Sequence, residues 1–260
     1  MERLTSHDQL LARSGNDPWV RWAVAADLPG EVWVHDEIAL VERRGWRRGF
    51  WVAPLHGAVG RGRQATEAER VRGALEELRD GGHLTRLASQ SISVVREHAA
   101  VAHEVFELGE GGDWDWLWTT HEPRRRVLER ELEVLDDTAD AEEITAFSIA
   151  HNPRVWADTG SGRMVHWVGI RTPDAGLIAV GGAELEATGA PHLAGIVTHT
   201  EHRGQGLGTA VTTGLTRWAL ARSGVCTLGM YADNAVARGV YERLGFRTAR
   251  AWHSRGLLTG

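Results

Sequence analysis

Short apolar runs separated by glycine- and arginine-rich turns dominate the first half of the chain, and their lengths predict strands. Between two of these runs, Thr66 and Glu69 form a capping-box pattern ahead of apolar residues at helical spacing, which predicts a helix stopped by Gly81-Gly82. Three tryptophans then alternate with other residues, so a strand there would carry all three indoles on one face. The predicted strands are 32–41, 46–52 and 91–95, and the tryptophans are Trp114, Trp116 and Trp118.

The pattern changes after a polar linker at residues 119–126. The second half alternates longer apolar strands with helices, and the loops between its central strands are short enough for hairpins. The predicted strands are 127–135, 164–170, 177–185, 193–198, 225–231 and one around Phe246, and the predicted helices are 140–150, 209–223 and 234–244. This order of elements predicts a mixed α/β fold.

Composition excludes several classes of protein. The chain has 260 residues, of which 42% are hydrophobic and 25% charged, so bulk disorder is excluded and one large or two small domains are expected. A net charge of −6 excludes a uniformly basic nucleic-acid-binding surface. No apolar run approaches the roughly 18–20 residues of a membrane span, and we expect no signal peptide, so we predict a cytoplasmic protein without a membrane or nucleic-acid partner.

The residue types that are rare or missing narrow the chemistry further. All 29 basic residues are Arg, which excludes lysine Schiff bases and the P-loop lysine. Cys226 is the single cysteine, so intramolecular disulfides are excluded, and its apolar surroundings predict a buried strand residue. The 13 histidines show no H-x-x-x-H or H-E-x-x-H spacing, so we expect no metal.

The stretch that carries chemistry is R-G-Q-G-L-G, from Arg203 to Gly208, between a predicted strand and a predicted helix. Its alternating glycines allow consecutive backbone N–H groups to point into one concavity, and the helix adds its positive N-terminal end, which together suit a phosphate. A dinucleotide fingerprint does not fit, because the third glycine comes one residue early. A glycine-rich turn without a ligand is the remaining alternative.

Together with a second motif, this loop resembles the GNAT family, the Gcn5-related acyl-CoA N-acyltransferases. The family's strand, R/Q-G-x-G-x-G/A loop and helix are matched at 203–208, and its later Asn, Tyr and Gly-Phe positions are matched by Asn234, Tyr241 and Gly245-Phe246. Thr198 resembles the FR47-like branch. The resemblance covers about residues 127–250 and implies the GNAT fold, a mixed central sheet in which two parallel strands splay apart.

The resemblance also implies an activity and a set of binding residues. The activity is transfer of an acetyl group from acetyl-CoA to a primary amine of a small molecule or peptide, by direct attack in a ternary complex. The pantetheine arm would pair with strand backbone between the splayed strands, the loop N–H groups would hold the pyrophosphate, and Asn234 would bond the pantetheine amides or fix the strand-to-helix turn. The implied binding residues are Val197, Thr198, Arg203, Gly204, Gln205, Gly206, Leu207, Gly208, Thr209 and Asn234. The alternative from another class is a non-catalytic acyl-CoA-binding sensor or regulatory module.

Direct attack needs an acid for the leaving thiolate and a base for the ammonium proton. Tyr241 matches the family's acid position, and a phenol near pKa 10 is close to a thiolate; packing on its helix face is the alternative. His192 is the first candidate base, because a period of two places it on one face with Ala194, Ile196 and Thr198. Glu184 on the neighbouring strand is the second candidate and His199 the third, and each has an ordinary surface or hairpin role as its alternative.

The first half resembles a diverged second GNAT domain. Its order of strand, glycine-containing loop at Gly60–Arg63, helix and strand repeats that of the second half, but the Asn, Tyr and Gly-Phe signature is missing. We therefore predict a degenerate domain over 1–118, a linker over 119–126 and a catalytic domain over 127–260. Eight of the 12 tryptophans lie at or before Trp118 and suit core packing or an aromatic wall for the acceptor. A homodimer is possible in this family, and the acceptor is left open.

Overall fold

The structure, a computed structural model, describes residues 1–28, 30–44, 48–55, 66–174 and 176–258. The first elements are β1 (Glu2–Leu4), α1 (His7–Arg13), α2 (Pro18–Ala23), β2 (Val32–His35), β3 (Ile38–Arg43), β4 (Gly49–Pro54), α3 (Glu67–Asp80), α4 (His83–Arg86), β5 (Ser91–Val95), α5 (Ala99–Val105) and β6 (Leu108–Thr119). The later elements are β7 (Glu133–Leu135), α6 (Ala141–His151), β8 (His166–Thr172), β9 (Gly176–Leu185), β10 (Pro191–Thr198), α7 (Leu207–Ser223), β11 (Cys226–Tyr231), α8 (Ala235–Arg243) and β12 (Arg247–Leu257).

The chain folds into two compact units. Unit 1 consists of Met1–Trp116, Tyr231–Asp233 and the chain from Thr248 onwards, and unit 2 consists of Leu117–Met230 and Asn234–Arg247. The last strand, β12, thus lies in unit 1, although we predicted from sequence a catalytic domain that runs to residue 260. The reason is an antiparallel pairing of β12 with β5, which joins residues that are far apart in the sequence.

In unit 2 the strands lie in the order β11-β10-β9-β8-β7. Neighbours from β7 to β10 are antiparallel, and β10 and β11 are parallel. α7 packs its apolar side chains, among them Val211 and Leu215, into a core with β9 and β10, while α6 packs Ile144 and Phe147 into a separate core that contains Trp167. Two buried threonines of α7, Thr212 and Thr216, donate their hydroxyl protons to carbonyls four residues earlier, so no polar group is left unsatisfied there.

Unit 1 repeats this arrangement, with the strand order β1-β2-β3-β4-β5-β12-β6. Antiparallel neighbours from β1 to β4 are followed by a parallel pair, β4 and β5. α3 begins at the predicted capping box, in which Thr66 and Glu69 satisfy each other's backbone N–H groups. A cluster of buried indoles packs edge to face, Trp19 with both Trp51 and Trp252. Because Trp19 and Trp252 are almost fully buried, these tryptophans form core rather than a ligand wall.

Most predicted elements are present, and two are wrong. Residues 32–41 do not form one strand, because β2 and β3 pair antiparallel as a hairpin around the turn at Asp36-Glu37. Residues 127–135 do not form one strand: Val127–Glu131 is a 3-10 helix, and only Glu133–Leu135 is a strand. The Glu129 carboxylate accepts a hydrogen bond from the Arg126 N–H, which stabilises the helical turn that an apolar pattern did not reveal. The predicted segments 46–52 and Gly60–Arg63 lie partly or wholly outside the described residues. Among the described helices, none combines the length and apolarity required to traverse a bilayer.

Candidate functional site

A gap opens between the parallel strands β10 and β11. Their ladder contains two residue pairs, His192 with Thr227 and Leu193 with Leu228. β10 continues to Thr198 and remains paired with β9 on its other edge. The edge of β10 beyond Leu193 is therefore not occupied by β11, which is the splay that the resemblance implies.

A β-bulge at Gly195 bends β10 at the start of this gap. Ala194 pairs with Gly182 of β9, whereas Val197 pairs with Val180, so β10 has one residue more than β9 between the two pairs. Gly195 has a φ of +64°, a left-handed conformation that favours glycine. The ring of Trp167 lies 2.7 Å from the position that a Cβ would take, so a side chain would also clash there.

The bulge reverses the faces of the residues that follow it. We predicted that His192, Ala194, Ile196 and Thr198 share a face, and this is wrong. Ala194 packs into the core that contains α6, whereas Ile196 packs into the core that contains α7. Paired residues of antiparallel strands share a face, so Thr198, the partner of Ala179, also lies on the α7 side. Because a period of two holds only without an inserted residue, the sequence pattern failed here.

The backbones of Val197 and Thr198 point in opposite directions. The N–H of His199 donates to the carbonyl of Ile178 at 2.9 Å. Alternate residues of an antiparallel strand bond to the same neighbour, so Val197 also directs its backbone groups to β9 and Thr198 directs its own to the gap. The resemblance implies that both residues bind the cofactor, but the backbone groups of Val197 face β9 and not the gap. Thr198 is therefore the residue of the pair whose backbone is available to a ligand in the gap.

A loop of unpaired donors follows β10. In the described part of the chain, none of the backbone N–H groups from Arg203 to Thr209 donates to a protein acceptor. Gly204 and Gly206 have φ values of +79° and +83°, which turn successive N–H groups to one side. α7 begins at Leu207 and has no acidic side chain in its first turn, so its positive end is not neutralised. The loop can hold an anion without any side-chain charge.

The side chains of this loop have separate structural roles. The guanidinium of Arg203 donates from Nη2 to the His151 carbonyl at 2.6 Å, at the C-terminal end of α6. This side chain thus caps a helix end that carries partial negative charge, and the implied part of Arg203 in cofactor binding stays a prediction. Leu207 is buried in the core, Gln205 is exposed, and Gly208 lies against the Thr198 hydroxyl. The loop is thus anchored by Leu207, while its donors stay open.

A pocket of about 420 Å³ opens beside the start of α7. Gly206 and Thr209 line it from the loop and the helix, and residues 126–128 and Arg243 of α8 line the remainder. Arg126 and Arg243 are exposed, so the pocket carries two cationic side chains next to the loop donors. We assigned Arg126 to the linker and did not single out Arg243. Its position two residues after Tyr241 is the signal that could have found it.

α8 carries the second motif. Asn234 caps this helix, because its Oδ1 accepts the Ala237 N–H at 3.0 Å, and this fixes the turn out of β11. Tyr241 is buried and packs against Phe246, with ring centroids 5.9 Å apart. Within the described ranges, no hydrogen-bond partner of the Tyr241 hydroxyl is found. Burial raises the pKa of Tyr241 to about 12, so the phenol keeps its proton at neutral pH but matches a thiolate less well than we expected.

His192 and Glu184 are cross-strand neighbours on the α6 side of the sheet. The Glu184 carboxylate accepts a hydrogen bond from Arg163 at 3.0 Å, and burial raises its pKa against the opposing charges of His192 and Arg163. Burial by itself would lower the pKa of His192, but the charge of Glu186, its hydrogen bond and the charge of Glu184 outweigh this and raise it. The two candidate bases therefore interact electrostatically, so the charge of each one affects the pKa of the other.

His199, the third candidate base, has the wrong tautomer for that role. Its Nδ1 accepts the Glu201 N–H at 3.2 Å, so the proton of the neutral ring sits on Nε2. The ring packs against His151 in a tilted arrangement, with centroids 4.0 Å apart. His199 therefore serves to join the 3-10 turn Thr200–His202 to α6.

Other titratable side chains outside this site are buried or have structural partners. Cys226 is fully buried, and burial raises the pKa of its thiol, so it is not a nucleophile. The acidic residues around the start of α6 are held locally: Arg171 pairs with Glu133, Asp140 and Glu143. In unit 1, Glu67, Glu97 and His98 bring possible ligand atoms within 4.8 Å of one another, a grouping without a sequence motif. The expectation of no metal stays a prediction.

Unit 1 lacks the features of this site in its described residues. The parallel ladder of β4 and β5 has four pairs, from Gly49 with Ser91 to Val52 with Val94, and β3 and β4 pair without a bulge. Counting seven residues from the N-cap of α8 gives Tyr241, and the same count from the N-cap of α5, His98, gives Val105. Val105 is a buried apolar residue without an acidic proton. In these respects the described residues of unit 1 do not reproduce the site of unit 2.

Comparisons with known proteins agree with this geometry. Residues 114–246, just over half of the chain, match the sequence model of the acetyltransferase (GNAT) family. No curated protein sequence matches the chain.

Three solved structures share the fold over most of the chain. A protein assigned to the GNAT family from Novosphingobium aromaticivorans is 20% identical, with a TM-score of 0.53 over 96% of both chains. A GCN5-related N-acetyltransferase from Kribbella flavida is 19% identical, with a TM-score of 0.54 over 98% of this chain and 96% of the other. A GNAT-family acetyltransferase from Colwellia psychrerythraea is 14% identical, with a TM-score of 0.51 over 85% and 81%. The matched family sequence includes both motifs of the site, and the chain therefore belongs to the GNAT acetyltransferase family.

Proposed function

We propose that the protein transfers an acetyl group from acetyl-CoA to a primary amine of a small molecule or peptide, by direct attack in a ternary complex. The observation that carries this proposal is the free edge of β10 after Leu193. The same strand leads into the loop 203–209, whose backbone N–H groups are unpaired. Acetyl-CoA supplies an activated thioester when bound. An extended, amide-bearing arm suits the free strand edge, and a pyrophosphate suits the loop.

The residues that would bind the co-substrate follow from these contacts. The backbone of Thr198 faces the gap and can pair with the amides of the arm. The N–H groups of Arg203 to Thr209, with the positive end of α7, would hold the pyrophosphate. Arg126 and Arg243 add charge at the neighbouring pocket, where the remaining phosphate of CoA would find charge-assisted hydrogen bonds.

Tyr241 and His192 would divide the proton transfers. Tyr241 keeps its proton at neutral pH and, without a described protein partner, can donate its O–H to the leaving sulfur. His192 would take the proton of the acceptor ammonium, because Glu184 is already bound to Arg163. Thr198 N–H would stabilise the charge that develops on the thioester oxygen.

Calorimetric titration of the whole chain with acetyl-CoA tests the binding part of this proposal. We expect one site per chain, since the described strands of unit 1 show no such gap, and two sites would show that unit 1 also binds. The absence of binding by a folded sample would overturn the proposal. Initial-rate kinetics with a panel of amino sugars, amino acids and short peptides then test turnover. Intersecting double-reciprocal lines are expected for a ternary complex, and parallel lines would contradict direct attack.

The same kinetic experiment distinguishes the alternative of a non-catalytic acyl-CoA-binding module. Both types of protein bind CoA, but only the enzyme releases free CoA thiol when acetyl-CoA and an amine are mixed. Binding without amine-dependent thiol release from the whole panel would favour the binding module.

A further inference from the structure

We propose that Glu186 is a positioning residue for the transfer reaction, which holds His192 in the tautomer whose Nε2 is free to accept the amine proton. The inference rests on the proposed function. It starts from a carboxylate that no sequence motif singled out, at the end of the hairpin between β9 and β10.

Two oxygens contact the same nitrogen of His192. Nδ1 lies 2.9 Å from Oε1 of Glu186 and 2.9 Å from Oγ1 of Thr227. Thr227 is fully buried, and its hydroxyl donates to the Pro191 carbonyl at 3.1 Å. The hydroxyl proton is therefore directed at Pro191, and the Thr227 oxygen presents lone pairs to the imidazole.

These contacts decide the tautomer. An ionised carboxylate only accepts, and the Thr227 oxygen accepts as well, so Nδ1 of His192 must carry the proton. In the neutral ring the lone pair is then on Nε2. No protein partner of Nε2 is found in the part of the chain that the structure describes. His199 has the opposite arrangement, since a backbone N–H occupies its Nδ1.

The hairpin turn holds Glu186 in place. Its N–H donates to the Ala190 carbonyl at 2.8 Å, and its carbonyl accepts the Gly189 N–H at 2.8 Å. The Glu186 side chain is largely covered, at 21% exposure, and the His192 side chain is at 14%. A carboxylate with a fixed backbone beside a covered imidazole fixes the ring orientation as well as the tautomer.

The two carboxylates near His192 favour its protonated form. Glu184 lies opposite on β9 with Arg163 bound to it, Glu186 lies at the hairpin, and Thr227 on β11 is neutral. The pKa of His192 is raised because these carboxylate charges outweigh burial. A base with a raised pKa binds a proton more strongly, and it works above that pKa, where the ring is neutral.

The step balances as follows. Nε2 of His192 takes one proton from the acceptor ammonium, and the freed nitrogen lone pair forms the C–N bond to the acetyl carbon. The C–S bond breaks, and the thiolate takes the Tyr241 proton. The second amine proton is lost to water as the amide forms. His192 then releases its proton to water, and Tyr241 regains a proton from water. Glu186 exchanges no proton and touches no substrate atom.

The test uses Glu186→Gln, which keeps size and an acceptor oxygen but removes the charge. Glu143→Gln is the matched control, because it removes a carboxylate that pairs with Arg171 near the opposite end of β9. His192→Gln serves to assign the His192 signal in nitrogen-15 histidine spectra. We measure those spectra against pH, acetyl-CoA affinity, and kcat/KM against pH with the best amine of the panel.

In wild type we expect an Nδ1-protonated neutral ring and an activity that rises with pH through the His192 titration. Glu186→Gln should lower kcat/KM about tenfold at its plateau and His192→Gln about 100-fold. In Glu186→Gln, loss of the charge should also move the His192 titration and the acid limb of activity to lower pH. The acetyl-CoA affinity of Glu186→Gln should equal that of wild type. In Glu143→Gln, both the His192 titration and the pH dependence of kcat/KM should be unchanged.

An acid limb and a plateau that are unchanged in a folded Glu186→Gln variant would overturn this inference and leave the proposed function standing. A His192 spectrum with the proton on Nε2 would overturn it as well. If wild type acetylates none of the amines, the proposed function fails, and this inference fails with it.

Discussion

His192 and Thr198 lie on opposite faces of β10, although their sequence numbers differ by an even number, which in a regular strand would place them on one face. The extra residue at the Gly195 bulge causes this, since it shifts the pairing with β9 between Ala194 and Val197. As a result, the candidate base His192 lies on the α6 side. The backbone of Thr198, which faces the gap, comes after the bulge in the chain. The geometry of one glycine thus decides the relation between the two parts of the site.

Replacing Gly195 tests this relation. Gly195→Ala combines a positive φ with a clash against Trp167, so it should cost about 2–4 kcal/mol of unfolding free energy and weaken acetyl-CoA binding. Gly189→Ala is the control, because Gly189 has a φ of +83° with open space around it, and it should cost only about 1–2 kcal/mol. Urea unfolding and calorimetry measure both effects. Equal losses in the two variants would contradict the role of the bulge.

Gly206 and Gly224 separate backbone strain from ligand binding, because they sit at opposite ends of α7 with φ values of +83° and +74°. Valine at either position should cost about 1–2 kcal/mol of unfolding free energy. Gly206→Val should in addition weaken acetyl-CoA binding at least about tenfold, since it disturbs the backbone N–H groups that would form charge-assisted hydrogen bonds to the pyrophosphate. Affinity is measured by titration. A similar loss of affinity in Gly224→Val would show that the loop is not the binding site.

The two tyrosines of the chain offer a matched pair for the acid role. Tyr241→Phe should lower kcat by about 100-fold, the size of a general-acid contribution, with little change in acetyl-CoA affinity or stability. Tyr231→Phe should leave kcat within about twofold, since it lies outside the proposed machinery. Because burial raises the pKa of Tyr241 to about 12, its ionisation should cause no loss of activity between pH 7 and 10. An unchanged kcat in Tyr241→Phe would remove the acid role.

A buried ion pair supports unit 1. Asp17 and Arg250 lie 2.7 Å apart with side chains only 5% exposed. Asp17→Asn keeps the acceptor that caps α2 but leaves a buried guanidinium without its counter-charge, so it should cost about 3–5 kcal/mol in chemical unfolding. The exposed pair of Glu2 and Arg13 is the control, and Glu2→Gln should cost less than about 1 kcal/mol. Comparable losses would show that burial adds nothing to the Asp17 pair.

Local patterns predicted much of unit 2. The helices α7 and α8, the strands β9, β10 and β11, and the capping box before α3 follow from spacing and from residue types that act within a few positions. Residues 127–135 were predicted wrongly because a short helical turn and a strand share the same apolar content, and a side-chain cap decided between them. In unit 1 the short elements β1, α1, α2, α4 and α5 were missed, since their patterns are too brief to be distinctive.

The loop of open donors was predictable because its N–H groups are consecutive in the chain, and the placement of Asn234 and Tyr241 was predictable because one short helix and its N-cap hold both. The sequence by itself determined the family motifs and the loop of consecutive backbone donors. Only the tertiary structure decided on which face of β10 each residue lies and that β12 pairs with β5. It also decided two contacts, that of Arg203 with the end of α6 and that of Glu186 with His192. These depend on pairing register, an inserted bulge residue and contacts between distant segments, and no local spacing encodes them.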